Sequence, residues 1–216
     1  MSVVRLTITG MTTNFVNQIF SMKKLFFILS LFISLAGLAQ EKPEGLFIRS
    51  KAPDFKSKDL TGIDISLKEL RRKGPVVILF YRGNWCPYCN KELSRFQDSL
   101  QLIKDKGASL VAVTPETTEG IIKTAEKTKA QFPIIYDEDL KIMKGYDVAY
   151  KVHEKSVARY KNFDIDLAVN NNQKPEEVYL PVPAVYIVDK EGTITFRYFE
   201  PDYKKRVSVK EILKNL

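Results

Sequence analysis

Histidine, cysteine and tryptophan are all scarce in this 216-residue chain, which holds one, two and one of them. Two cysteines cannot supply the disulfide framework expected of a small exported domain, nor the four ligands of a structural zinc site. The single histidine, His153, has no identifiable partner and reads as a surface residue. Repeats and low-complexity stretches are absent. Lys and Arg outnumber Asp and Glu, 34 to 26, but they are interleaved with the acids rather than gathered into a stripe. A nucleic-acid partner is therefore not expected. No apolar run reaches the length of about 20 residues that a membrane span needs.

What is present begins with a leader. Met22-Lys23-Lys24 precedes the apolar run Leu25 to Leu35, and Ala36-Gly37-Leu38-Ala39-Gln40 follows with small residues. A positive n-region, an h-region and a small-residue cut site make a signal peptide over residues 22–39, cleaved after Ala39. Met22 is then the natural start, and residues 1–21 are a mis-assigned extension. The mature chain is expected to be periplasmic or extracellular. No cysteine follows the run to carry a lipid, so no stable membrane insertion is expected after cleavage.

The remainder reads as one α/β domain over residues 45–216. Residues 52–70 suggest a small hairpin turning at Thr61-Gly62. Val76-Val77-Ile78-Leu79-Phe80-Tyr81 is an apolar run suited to a strand buried on both faces. A helix follows, with Leu93, Phe96, Leu100 and Ile103 on one face and a stop at Lys106-Gly107. Strands are expected at 110–113 and 132–136, and helices at about 117–130 and 139–152. Residues 154–180 are polar and read as an irregular insertion on one side of the sheet. A hairpin of 184–188 and 193–199 precedes a last helix starting near Ser208, with Glu211 completing a capping box. Alternating strands and helices imply a sheet with a parallel centre.

The two cysteines, Cys86 and Cys89, are three apart, between the buried strand and the helix. A bridge over so short a loop is a weak staple. A helix N-terminus, by contrast, favours a thiolate, and the second thiol can displace whatever becomes attached to the first. The pair therefore reads as a reversible dithiol/disulfide switch. Trp85 and Tyr88 are candidates for an apolar rim facing the substrate, while Tyr81 reads as core.

Ala52-Pro53-Asp54-Phe55, the stretch from Phe80 through Trp85-Cys86-Pro87-Tyr88-Cys89-Asn90-Lys91-Glu92-Leu93, Pro181 to Asp189, and Glu200-Pro201-Asp202-Tyr203 together resemble the alkyl hydroperoxide reductase/thiol-specific antioxidant (AhpC/TSA) family. The closest resemblance is to its peroxiredoxin-like branch with a Cys-Pro-x-Cys site. The resemblance implies a thioredoxin-like fold: a central mixed sheet flanked by helices, an N-terminal hairpin extension, and an insertion before the strand led by a cis-proline. It also implies thiol-based reduction of peroxides or disulfides, no cofactor, and recycling by an external thiol donor such as a thioredoxin-like protein. As a thioredoxin, the chain has Cys86 as the exposed nucleophile. As a peroxiredoxin, it has Cys89 in that role, with Cys86 in the place of a threonine. Where the family carries a peroxide-holding arginine, this chain has Pro183, whose bond the resemblance implies to be cis. Arg82 either replaces that arginine or is a solvated loop residue.

Three activities fit these residues. The first is a peroxiredoxin-like enzyme reducing hydrogen peroxide or organic hydroperoxides. The second is a thioredoxin-like protein disulfide oxidoreductase outside the cytoplasmic membrane. The third is a Cu(I) metallochaperone using the cysteine pair, with His153 as a third ligand.

Overall fold

The computed structural model describes residues 42–216. The leader at 22–39 and the residues before it lie outside the described residues. Among the described residues, no helix is long and apolar enough to cross a membrane.

A five-stranded mixed sheet forms the centre. Its middle strand, β3 (Val76–Phe80), is buried at every position. It pairs in parallel with β4 (Ser109–Thr114), which pairs in parallel with β5 (Ile134–Tyr136). On its other side β3 pairs antiparallel with β8 (Ala184–Val188), and β8 pairs with β9 (Ile194–Phe199). The alternation of side chains along β3 divides the core in two. Val77, Leu79 and Tyr81 face one cluster with Leu93, Phe96 and Ile121. Val76, Ile78 and Phe80 face another with Tyr146, Met143 and Tyr186.

The expected hairpin is present as β1 (Lys56–Lys58) and β2 (Asp64–Ser66). It is followed by a short helix that the sequence pattern does not announce, α1 (Leu67–Lys73), which Ser66 caps by accepting from the Glu69 N–H at 3.4 Å. The long helix after the cysteines is divided into α2 (Pro87–Asp98) and α3 (Leu100–Asp105), with Ser99 between them at φ −105° and ψ 7°. Beyond α4 (Thr118–Thr128), the helix expected over 139–152 contracts to α5 (Lys141–Gly145). The residues after it form a strand instead, β6 (Ala149–Lys151).

The insertion is ordered rather than irregular. It contains α6 (Glu154–Lys161), α7 (Leu167–Asn170) and β7 (Tyr179–Pro181), with β7 paired antiparallel to β6. Val152, Leu167, Ala168, Val178 and Leu180 give it a small core of its own, against which Trp85 packs. Its apolar residues are too widely spaced along the sequence to show a period, but the β6–β7 pairing brings them together. The last helix, α8 (Val209–Lys214), starts at Ser208 as expected, with its hydroxyl accepting from the Glu211 N–H.

Candidate active site

The end of β3 delivers the chain to the cysteines. Tyr81 extends the pairing by one residue, its N–H donating to the Val113 carbonyl at 3.1 Å. Gly83 then turns the chain at a φ of 150°, where a side chain would be strained and would overlap the Trp85 ring. The Cys86 N–H closes this turn on the Gly83 carbonyl at 3.0 Å. Cys86 is the N-cap of α2, Pro87 opens the helix, and Cys89 lies in its first turn. Proline suits that position because the missing N–H has no helical partner there.

Both cysteines are buried, at 1% and 0% exposure, so the expectation of an exposed Cys86 is corrected. Their titrations diverge. The Cys86 thiol is lowered to about 6, chiefly because the Cys89 thiol donates toward its sulfur. Burial opposes this, while the Cys89 backbone N–H and the charges of Arg82 and Arg206 reinforce it. Cys89 is raised well above the usual thiol value, first by burial and then by its interactions with Cys86, with Arg206 pulling the other way. One thiol is thus ionised at neutral pH and the other keeps its proton.

Arg206, from the stretch before α8, reaches this pair. Its Nη2 lies 3.5 Å from the Cys89 sulfur and its Nε 2.7 Å from Oε2 of Glu92. Glu92 is one helical turn beyond Cys89 and 4% exposed. Burial raises its carboxyl to about 7 against the pull of Arg206. The Arg206 Nη1 donates to the carbonyls of Tyr203 and Lys205, which fixes the guanidinium in place. No local sequence signal marks Arg206 among the basic residues of the tail. Glu92 falls within the motif around the cysteines but carries no mark of its ion pair.

A second buried carboxylate, Glu116, holds the loop before the cysteines. It accepts from the Asn84 N–H at 2.7 Å, from the Asn84 side-chain amide, and from the Thr124 hydroxyl at 3.1 Å. Asn84 is held from the other side by the Asn90 amide on its carbonyl at 2.8 Å and by Lys127 at 3.1 Å. Gly120 has no room for a Cβ because the Glu116 side chain fills that space. The turn carrying Trp85 and Cys86 is therefore clamped from below.

Arg82 is not a solvated loop residue: it is 2% exposed. Its guanidinium lies over Trp85, Tyr160 and Tyr203 at 4.9, 5.6 and 4.3 Å, and its Nη2 donates to the Tyr160 hydroxyl. Trp85 stands edge-on to Tyr160 at 5.1 Å, and Tyr88, 39% exposed, stands edge-on to Tyr203 at 5.8 Å. Four aromatic rings and one cation thus surround the start of α2. Arg82 adds to the positive field at Cys86, whereas the guanidinium placed on Cys89 is that of Arg206.

The AhpC/TSA family model matches residues 48–197. The chain belongs to the AhpC/TSA family. A chloroplastic peroxiredoxin Q of Sedum lineare is 32% identical over 133 residues, spanning 59% of this chain and 71% of the relative. A thiol-disulfide oxidoreductase ResA of Bacillus cereus is 26% identical over 165 residues, spanning 76% of each. Among solved structures, the peroxidoxin BcpB of Mycobacterium tuberculosis superposes with a TM-score of 0.60 at 17% identity, covering 78% of this chain and 94% of that one. Peroxiredoxin 6 of Arenicola marina superposes with a TM-score of 0.62 at 16% identity, covering 78% and 71%. These superpositions bear out the thioredoxin-like mixed sheet flanked by helices. Tyr203 and Arg206 lie beyond the part matched by the family model.

One further expectation drawn from the family resemblance changes. The bond before Pro183 is trans, since the described residues contain no cis peptide. The Val182 N–H donates to the Val148 carbonyl at 2.8 Å, and the Pro183 carbonyl accepts from Glu200 at 3.2 Å. The chain therefore passes from β7 into β8 tied down on both sides of the proline. Pro183 stands one residue beyond the Phe80–Ala184 pair, level with Tyr81. His153 is exposed and caps α6, its Nδ1 accepting from the Lys155 N–H at 3.2 Å. Among the described residues, no group of three or more His, Cys, Asp or Glu side chains is placed to hold a metal ion.

Proposed function

We propose that this AhpC/TSA protein is a thiol-dependent, peroxiredoxin-like oxidoreductase, in which Cys86 attacks hydrogen peroxide or an organic hydroperoxide and Cys89 resolves the product. The observation that carries this reading is the placement of Cys86 at the cap of α2 with Cys89 buried in the first turn beside Arg206, an arrangement in which the Cys86 thiol is lowered and the Cys89 thiol raised. A nucleophile and a protonated partner are what a two-step thiol cycle needs.

The Cys86 thiolate attacks one peroxide oxygen. The O–O bond breaks, two electrons pass from sulfur, and the leaving oxygen takes up a proton as water or an alcohol. The Cys86 sulfenic acid then condenses with the Cys89 thiol, forming the S–S bond and releasing water. Arg206 eases the loss of the Cys89 proton at this step by lying against that sulfur. An external dithiol restores both thiols by exchange and is itself oxidised to a disulfide. Trp85 and Tyr88 form the rim that a substrate meets, with the buried Arg82 against the Trp85 ring and Pro183 level with Tyr81 in the register.

The thiol-disulfide oxidoreductase relative favours a second reading, in which the same asymmetric pair exchanges with protein disulfides. The leader over residues 22–39 supports export, and a secreted product beginning at Gln40 would establish it. Peroxide consumption with a dithiol donor separates the two activities. Consumption far faster than that of a free thiol supports the peroxidase. Slow consumption with fast reduction of a protein disulfide assigns the chain to exchange.

A further inference from the structure

The insertion and the C-terminal tail meet at a cleft of about 470 Å³, lined by Ser156, Arg159, Tyr160, Phe163, Tyr203 and Lys204. Its size is within the range of about 300–1,000 Å³ usual for small-molecule sites. The walls are aromatic, and Phe163, 67% exposed, leaves its ring open to a ligand. The rim is cationic: among the described residues, neither Arg159 nor Lys204 has an ion-pair partner, although seven other basic residues do.

The cleft is one aromatic layer from the thiols. Tyr160 contacts Trp85 and Arg82, while Tyr203 contacts Tyr88 and Arg82. Trp85 and Tyr88 are the residues flanking Cys86 and Cys89. A molecule seated between α6 and the tail therefore lies against the rings that contact the residues beside the two thiols.

Resting on the peroxidase reading, we propose that this cleft is a substrate subsite for organic hydroperoxides that carry an apolar chain and an acidic group. The chain lies on Tyr160, Phe163 and Tyr203, and the acid pairs with Arg159 and Lys204. Aromatic faces favour the chain through buried apolar area, and two unpaired cations favour a carboxylate over a neutral end.

The test uses octanoate as a non-reactive probe and n-octanol as its neutral counterpart. Trp85 is the single tryptophan and packs against a wall of the cleft, so its emission reports occupancy; calorimetry on the same samples provides a second measure. The proposal predicts saturable binding of octanoate, at least about 10-fold tighter than n-octanol. The R159Q/K204Q double variant should lose that preference, and Phe163→Ala should weaken both probes. In turnover, wild type should show a higher kcat/KM for a carboxylate-bearing hydroperoxide than for tert-butyl hydroperoxide, and the double variant should lose the difference. Equal binding of the two probes, or unchanged octanoate binding in the double variant, overturns the subsite. So does an acidic peptide that displaces octanoate while turnover shows no preference, since the cleft would then belong to a protein partner. If octanoate binds as stated but no peroxide is consumed, the peroxidase reading fails while the cleft still binds an acidic apolar ligand.

Discussion

Arg206 joins two elements that the chain separates by more than a hundred residues, touching the Cys89 sulfur with one nitrogen at 3.5 Å and the Glu92 carboxylate with another at 2.7 Å. Both side chains of the ion pair are nearly closed to solvent, at 6% and 4% exposure. Water contributes little screening there, and each charge depends on the other.

Removing one partner of the pair should therefore cost more than removing both. Arg206→Gln leaves a buried carboxylate alone and is expected to destabilise the protein by about 3–5 kcal/mol. Arg206→Met combined with Glu92→Met should recover most of that loss. Urea unfolding of the two single variants and the double variant measures the coupling. Strictly additive losses would mean that the pair does no more than two independent side chains.

The Glu92 carboxyl sets a pH dependence of known sign. Its folded value of about 7 lies above its ordinary 4.5, so the folded state holds the proton more tightly than the unfolded chain does. Stability from this group is full below pH 4.5 and declines as pH rises through 7. Glu92→Gln should flatten that decline, and thermal unfolding at several pH values across the window reads it directly.

Cys86 should react as a thiolate down to mildly acidic pH. Its alkylation rate by iodoacetamide is expected to rise with a midpoint near pH 6. Cys89→Ala removes the donor that does most to lower this value, so the midpoint should move up. Arg82→Gln should move it up by less, because the Arg82 charge ranks below the Cys89 contacts. A midpoint that stays in place in Cys89→Ala would show that the helix terminus, not the second thiol, ionises Cys86.

The clamp under the loop makes Gly120 sensitive to its own size. Gly120→Ala drives a methyl group into Glu116 and is expected to cost about 1–3 kcal/mol, as over-packing does. Glu116→Ala leaves the Asn84 N–H without its acceptor, a loss of about 1–3 kcal/mol for a buried donor. If either variant unfolds at the wild-type temperature, the loop is held by something other than Glu116.

The part of this site that lies close together along the chain was legible in the sequence. Val76 to Phe80 announces a strand by its unbroken apolar run, and Cys86-Pro87-Tyr88-Cys89 announces a helix N-terminus by its proline. The contributions from distant segments were not legible. Arg206 is one basic residue among several in its tail, and only the packing of the tail against α2 singles it out. Tyr160 and Tyr203 meet over Arg82 because the β6–β7 pairing positions the insertion, and residues 149–151 and 179–181 carry no sequence signal of that partnership. Val148 to Val152 suits a helix or a strand equally by composition, and the strand prevails because β7 is there to pair with it.

Sulfenic acid trapping in the single-cysteine variants tests the central claim most directly. Reduced Cys86→Ser and Cys89→Ser proteins would each receive one equivalent of hydrogen peroxide in the presence of dimedone, and intact mass would be read against time. The account predicts rapid dimedone addition in Cys89→Ser, which retains Cys86, and slow or no addition in Cys86→Ser. Rapid addition in Cys86→Ser alone would make Cys89 the attacking thiol and contradict the assignment built on the helix cap.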